Sequence, residues 1–314
     1  MYSVQFYGQM LADTSRMDAY TAALRRAVKP DSVVMDLGCG PGVFALLACK
    51  LGARRVYAVE PENIVGLARE AAAANGFSDR IEFFEKLSTE INLPEPATII
   101  ISDLRGVLPW FEQNVHSIID ARERLLAPRG VLIPHRDVLW ASVVEAPAQY
   151  KEIVGPWRSQ FNLDLAAGRR LVTNTWRKSR IKPAQLLTDP VCWATLDYHE
   201  VTSPDVSAEI SWQAARQGTA HGVAVWFDSE LAEGIRFSNH PAAPEMIYGI
   251  GFFPFSQPLE MIEGEHVTVR LAADFVNDGY VWRWDTQVLG KQSFKQSTFY
   301  GVPLSTTQLL KCVQ

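Results

Sequence analysis

Residues 36–42, Asp36-Leu37-Gly38-Cys39-Gly40-Pro41-Gly42, set an acid in front of alternating glycines. An apolar run from Val33 leads in, and a stretch of helical spacing follows (Val43, Phe44, Leu46, Leu47, Leu51), which predicts a strand, a tight loop and a helix. Glycine permits φ > 0 and lets backbone approach a ligand with no Cβ in the way, and the following helix offers unpaired N–H groups. The spacing is Gly-x-Gly-x-Gly, not the Gly-x-Gly-x-x-Gly of dinucleotide folds, so cradling a phosphate is not its best reading. A second acid, Glu60, ends the next apolar run (56–59), where a carboxylate can take both hydroxyls of a ribose. Loop and acid together point to a nucleoside-bearing cofactor. A further pair, Asp103 and Glu112, brackets a loop containing Gly106, Pro109 and Trp110. Asp103 closes the β-branched run 98–101, and ligands bind at the carboxyl ends of such buried strands. The plain alternative is an acid that ends a strand and another, Glu112, that caps the helix expected over 113–126.

These residues need elements to hold them. One or two helices are expected over 9–27, a helix over 62–75 closed by Asn75-Gly76, a strand at 80–85, and a turn at Ala127-Pro128-Arg129-Gly130 before a strand from Val131. Strand and helix alternate regularly to this point, so residues 1–137 read as a doubly wound α/β domain. From 138 to 314 the texture changes to alternating, aromatic-rich strands (138–143, 223–227, 266–271, 280–284), which read as an antiparallel β-barrel or sandwich. Between them, about 155–190 is rich in Arg, Lys, Trp and Pro and reads either as a solvated helical excursion or as something that grips a partner.

The run Asp-Leu-Gly-Cys-Gly-Pro-Gly followed by Val-Tyr-Ala-Val-Glu resembles the first motif of class I S-adenosylmethionine (SAM) dependent methyltransferases. The resemblance implies SAM as cofactor, with Asp36, Gly38, Gly40, Gly42 and Glu60 on it. Met10-Leu11-Ala12-Asp13-Thr14-Ser15-Arg16 is similar to the Met-Leu-x-Asp-x-x-Arg segment of protein arginine methyltransferases, which implies that Arg16 pairs with the methionine carboxylate. Ser88 stands where that family contacts adenine. The family carries a loop with two glutamates nine residues apart; Asp103 and Glu112 keep the spacing, with Asp for the first Glu. A guanidinium is planar with five donors, so two carboxylates can hold it and leave one nitrogen facing the methyl. The implied architecture is a Rossmann-like methyltransferase domain followed by an antiparallel β-barrel with a helical dimerisation arm, in a homodimer. Two departures stand out. The N-terminal aromatic lid of the family is expected to be shorter here, and the family's Thr-His-Trp is matched by Met246-Ile247-Tyr248, leaving His240 or Tyr248 as the nearest substitutes.

Composition sets the bounds. The 314 residues are 47% hydrophobic and 21% charged, with a net charge of −5, which disfavours a nucleic-acid footprint. No basic leader and no apolar run of membrane-spanning length is read, so neither membrane nor nucleic acid is expected as a partner and the expected setting is cytoplasmic. Cys39, Cys49, Cys192 and Cys312 are scattered, which fits reduced thiols and no metal site. The expected reaction is methyl transfer to a guanidino or amino nitrogen of an arginine residue, free arginine or a related small molecule. The alternatives are an O-methyltransferase acting on a small molecule and a non-catalytic SAM-binding dimeric scaffold.

Overall fold

The computed structural model describes residues 3–158, 161–288 and 293–301; Cys312 lies outside the described residues. Its contacts divide the chain into two units. The first comprises Met1–Val138 together with Thr195–Pro204 and Phe227–Tyr248, so two segments from the C-terminal half join it.

In the first unit, α1 (Val4–Ala12) and α2 (Thr14–Ala27) meet at Asp13, which ends one and whose side chain caps the other by accepting from the Arg16 N–H. Arg25 and Arg26 in the last turn of α2 suit the negative end of its dipole. Then β1 (Val33–Leu37), α3 (Val43–Lys50), β2 (Arg55–Val59), α4 (Val65–Ala74), β3 (Ile81–Phe84), β4 (Ala97–Ser102), α5 (Asn114–Arg124) and β5 (Leu126–Ile133) alternate as expected. The strands form a parallel sheet in the order β3-β2-β1-β4-β5. All five residues of β1 are buried, as a central parallel strand covered on both faces requires. Helix α4 closes at Asn75-Gly76: Gly76 takes φ +71°, its N–H donates to Ala73 and the Phe77 N–H to Ala72, the paired bonds of a Schellman motif. The expected turn at 127–130 lies within β5. There the ladder jumps from Ala97↔Leu126 to Ile99↔Val131, so those residues bulge from the sheet, with Arg129 at φ +63°.

The second unit (Leu139–Ala194, Asp205–Trp226, Gly249–Gln314) is antiparallel. It holds most of β6 (Arg136–Val144), α6 (Pro147–Val154), α7 (Ala166–Val172), β7 (Arg177–Ser179), β8 (Val191–Asp197), β9 (Val206–Gln213) and most of β10 (Gly218–Ala232). The last residues of β10 pair with β11 (Ile235–Ser238) in the first unit. The second unit resumes with β12 (Ile250–Met261), β13 (His266–Val276), β14 (Gly279–Val288) and β15 (Ser293–Phe294). Strand order is β7-β12-β10-β6-β8 in one sheet and β15-β14-β13-β9 in the other. The Trp284 indole donates to the Pro254 carbonyl and the Trp193 indole to that of Leu271, tying the sheets across a core of Trp176, Trp193, Phe253 and Trp282. The result is an α/β Rossmann-like unit and a barrel-like antiparallel unit with a short helical insertion.

Candidate active site

The order of the parallel sheet reverses between β1 and β4, and ligands of such sheets lie in the crevice outside the carboxyl ends at that point. The loop after β1 is stitched to β2 by Gly38 and Cys39 N–H groups donating to the Val59 carbonyl. Gly38, Gly40 and Gly42 take φ of +73°, +51° and +80°. A Cβ at Gly40 would sit 2.8 Å from the Tyr7 ring of α1, and one at Gly42 would sit 2.7 Å from Ala68 of α4, so neither position has room for a larger residue. Helix α1 thus lies over the glycine loop, although none of its residues is buried.

Asp36 and Glu60 are buried, and backbone amides hold both. Asp36 accepts from the Ala45 N–H in the first turn of α3 (2.8 Å). Glu60 accepts from Gly40 through one oxygen and from Glu62 through the other, both at 3.0 Å. Burial pushes the Asp36 carboxyl up to about 7 against the Ala45 bond, and burial likewise raises Glu60. Each Glu60 oxygen keeps a lone pair for a further donor. Ser88 is buried at the start of a short 3-10 turn; its carbonyl accepts from Arg124 at 2.9 Å, and its hydroxyl makes no hydrogen bond among the described residues.

Asp103 follows β4 and lies in a dense polar cluster. Arg16 Nε donates to Oδ2 at 2.6 Å, Tyr20 Oη donates to Oδ1 at 3.0 Å, and Tyr248 Oη stands 2.8 Å from both oxygens. The Arg16 and Asp103 side chains are only 8% and 7% exposed. Arg16 lies over the stacked rings of Tyr20 and Phe44, and Nη1 reaches the Met10 carbonyl, whereas Nη2 makes no hydrogen bond among the described residues. Burial works against the charge of Arg16, yet Asp103 and the neighbouring phenols outweigh it and raise its pKa. Burial, reinforced by Asp103, pushes the Tyr248 phenol well up.

The loop after Asp103 closes on Leu108, Pro109 and Trp110, all buried, with the Asn114 amide donating to the Pro109 carbonyl (2.7 Å). Gly106 fits against the Phe111 ring, where a Cβ would stand 2.8 Å away. Glu112 at the far end is exposed, takes φ +44° and makes no side-chain bond among the described residues. The capping alternative is not realised, since no side chain caps α5, whose N-cap is Gln113. A non-glycine residue held at positive φ stores strain of the kind that gathers at functional positions.

The segment at 246–248, which stands where the resembled family has its histidine, is tied to the first unit by hydrogen bonds. The Ile247 N–H donates to Asp13 Oδ2 (2.7 Å) and Tyr248 reaches Asp103, while His240 builds a turn by accepting from the Ala242 N–H. The structure therefore gathers Arg16, Asp103 and Tyr248; it links Glu60 to the glycine loop and Asp36 to the first turn of α3, and it leaves Glu112 outside the cluster. Tyr20, Arg105 and Asp137 were missed. The one legible signal was Tyr20, four residues from Arg16 and so on the same helix face.

The comparisons agree with this architecture. Residues 135–279 match the family model described as arginine methyltransferase oligomerization subdomain, and 18–133 match that of ribosomal protein L11 methyltransferase (PrmA). The chain is 28% identical over 240 residues to probable protein arginine N-methyltransferase 6 of Arabidopsis thaliana, covering 73% of this chain and 55% of that protein. It is 26% identical over 268 residues to protein arginine N-methyltransferase 1 of Dictyostelium discoideum, covering 83% and 79%. It thus spans little more than half the length of the Arabidopsis relative. In fold it is similar to the Trypanosoma brucei PRMT1 enzyme-prozyme heterotetrameric complex with AdoHcy (TM-score 0.82, 24% identity, 93% and 96% covered). Arabidopsis thaliana protein arginine methyltransferase 10 is similar as well (TM-score 0.81, 22% identity, 94% and 97% covered).

Proposed function

We propose that this chain is a class I SAM-dependent methyltransferase of the arginine methyltransferase kind, in line with the two family models it matches, and that it methylates a guanidino or amino nitrogen. The acceptor is an arginine residue of a protein, free arginine or a related small molecule. The observation that carries the proposal is the acidic loop at the reversal of the sheet, with an acid at each end and the glycine loop beside it. The residues present fit SAM. The left-handed glycines expose backbone, Glu60 retains lone pairs for ribose hydroxyls, and Arg16 keeps Nη2 free of protein partners for a carboxylate. When bound, SAM supplies a methyl group on a sulfonium that is already a good leaving group. The chain's task is to position and polarise the acceptor.

In this reading Glu112 is the exposed carboxylate that takes an acceptor N–H and receives the proton that the nitrogen loses. Asp103, at the other end of the loop, holds Arg16 and Tyr248 in place. A second copy of the chain is the proposed partner: residues 135–279 match an oligomerization subdomain, and the insertion exposes Trp157, Phe161 and Leu163. A cytoplasmic setting belongs to the same proposal.

A second reading, the non-catalytic SAM-binding scaffold, is favoured by one observation: three side chains already occupy Asp103. Mass spectrometry decides between them, after incubation with SAM and a panel of free arginine, small guanidines, amines and arginine-rich peptides. Methylation of any of these, lost by roughly 100-fold in Glu112→Gln with SAM affinity kept, is the expected result. No methylation anywhere, with SAM bound, favours the scaffold.

A further inference from the structure

Arg105, two residues beyond Asp103, is buried. Its Nε stands 3.5 Å from Asp103 Oδ1, and its Nη1 lies 2.8 Å from Asp137 Oδ1 and donates to Ser229 Oγ at 2.9 Å. The rings of Phe227 and Phe237 lie 5.2 and 5.7 Å from its Cζ, and Nη2 is buried with no partner among the described residues. An apolar side chain between two phenylalanines would anchor the loop at less expense, because burying a guanidinium demands a buried counter-charge. Asp137, wholly buried and also holding the Tyr198 hydroxyl (2.7 Å), is that counter-charge. Asp103 therefore lies between two guanidiniums, Arg16 at Oδ2 and Arg105 toward Oδ1.

Resting on the reading of this loop as the acceptor site, we infer that Arg105 is a specificity-determining positioning residue that neutralises Asp103 from within and so weakens the hold of the loop on a cationic acceptor. An incoming cation meets Asp103 already shared between two positive groups, and full attraction remains only at Glu112 among the two acids. The consequence runs against that of an ordinary anchor: removing Arg105 strengthens cation binding.

The test uses the full chain with S-adenosylhomocysteine and the tripeptide Gly-Arg-Gly as probe, titrated by calorimetry at low salt. The double variant Arg105→Met/Asp137→Asn removes both charges of the buried pair, and the amide at 137 can still accept from Tyr198. It binds the probe about fivefold more tightly than the wild type, and KM for a methylated cationic acceptor falls in step. Arg105→Lys, which keeps the charge, holds the wild-type affinity. Arg105→Gln is measured alongside and tightens likewise, so that misfolding of the double variant alone does not decide the matter. Variants that bind no tighter, or tightening by Arg105→Lys to the same degree, overturn the inference. Wild-type turnover of a cationic acceptor without tightening sinks it alone. Loss of binding and turnover in every form sinks it together with the acceptor-site reading.

Discussion

Two pairs of acids in the first unit solve the same problem in opposite ways. Asp36 and Glu60 are buried without a salt bridge among the described residues and are held by the backbone amides of Ala45, Gly40 and Glu62. Asp103 and Asp137 are buried against Arg16 and Arg105 and accept from Tyr20, Tyr248 and Tyr198. An amide carries no net charge, so burial raises the first pair and leaves them able to take further donors. A guanidinium offsets the charge of the carboxylate it faces. Glu60 in the first region keeps lone pairs for further donors, whereas Asp103 in the second has both oxygens taken by side chains of the chain itself.

The largest expected effect separates the two regions. Gly40→Val places a branched side chain at φ +51° with its Cβ 2.8 Å from the Tyr7 ring, and displaces the N–H that holds Glu60. Strain of about 3 kcal/mol corresponds to roughly 100-fold weaker SAM binding by calorimetry. The Asp103 cluster shares no hydrogen bond with Gly40, so near-UV circular dichroism of its aromatic side chains stays unchanged. SAM affinity within threefold of wild type would remove the glycine loop from the cofactor site.

The next effect reads the charge of the first region directly. Burial pushes the Asp36 carboxyl from its ordinary value of 3.8 up to about 7, so the folded state binds the proton more tightly. Its contribution to stability is full below about pH 4 and is lost as pH rises through about 7. Asp36→Asn deletes that slope. Urea denaturation should show wild type and variant converging at low pH, with the wild type losing on the order of 2–4 kcal/mol relative to the variant by pH 8. A difference that does not change with pH would mean that Asp36 is charged at no extra cost, and the contrast with Asp103 would fail.

The contrast also explains what the sequence made legible. The central parallel strands β1 and β4 announce themselves as apolar runs, and the end of α4 as Asn75-Gly76, because local sterics and burial decide both. The glycine loop and Glu60 are likewise local to one strand-loop-helix unit. The guanidinium cluster joins residues 16, 20, 103, 105, 137, 198, 229 and 248, and beyond the helical spacing of 16 and 20 no spacing rule brings its distant members together. Tyr248 was reachable only as the residue beside Ile247, and the role of Arg105 only once Asp137 and Ser229 were placed against it. The return of 195–204 and 227–248 to the first unit is equally non-local, since alternating strands read the same whichever unit they complete.

The smallest effect tests whether the second region is complete. Tyr248→Phe removes the hydroxyl shared by both Asp103 oxygens, and keeps the ring stacked on Phe237 (5.6 Å between centroids) and edge-on to Phe227 (5.3 Å). Asp103 retains Arg16 and Tyr20, so no buried charge is abandoned. The expected loss is about 1 kcal/mol, the net worth of one hydrogen bond. It is the same at pH 5 and pH 8, because burial and Asp103 keep the phenol protonated throughout that range. Denaturation at both values measures it. A loss above about 3 kcal/mol would be that of a carboxylate stripped of its main partner, which would make Tyr248 rather than Arg16 the group that lets Asp103 stay buried.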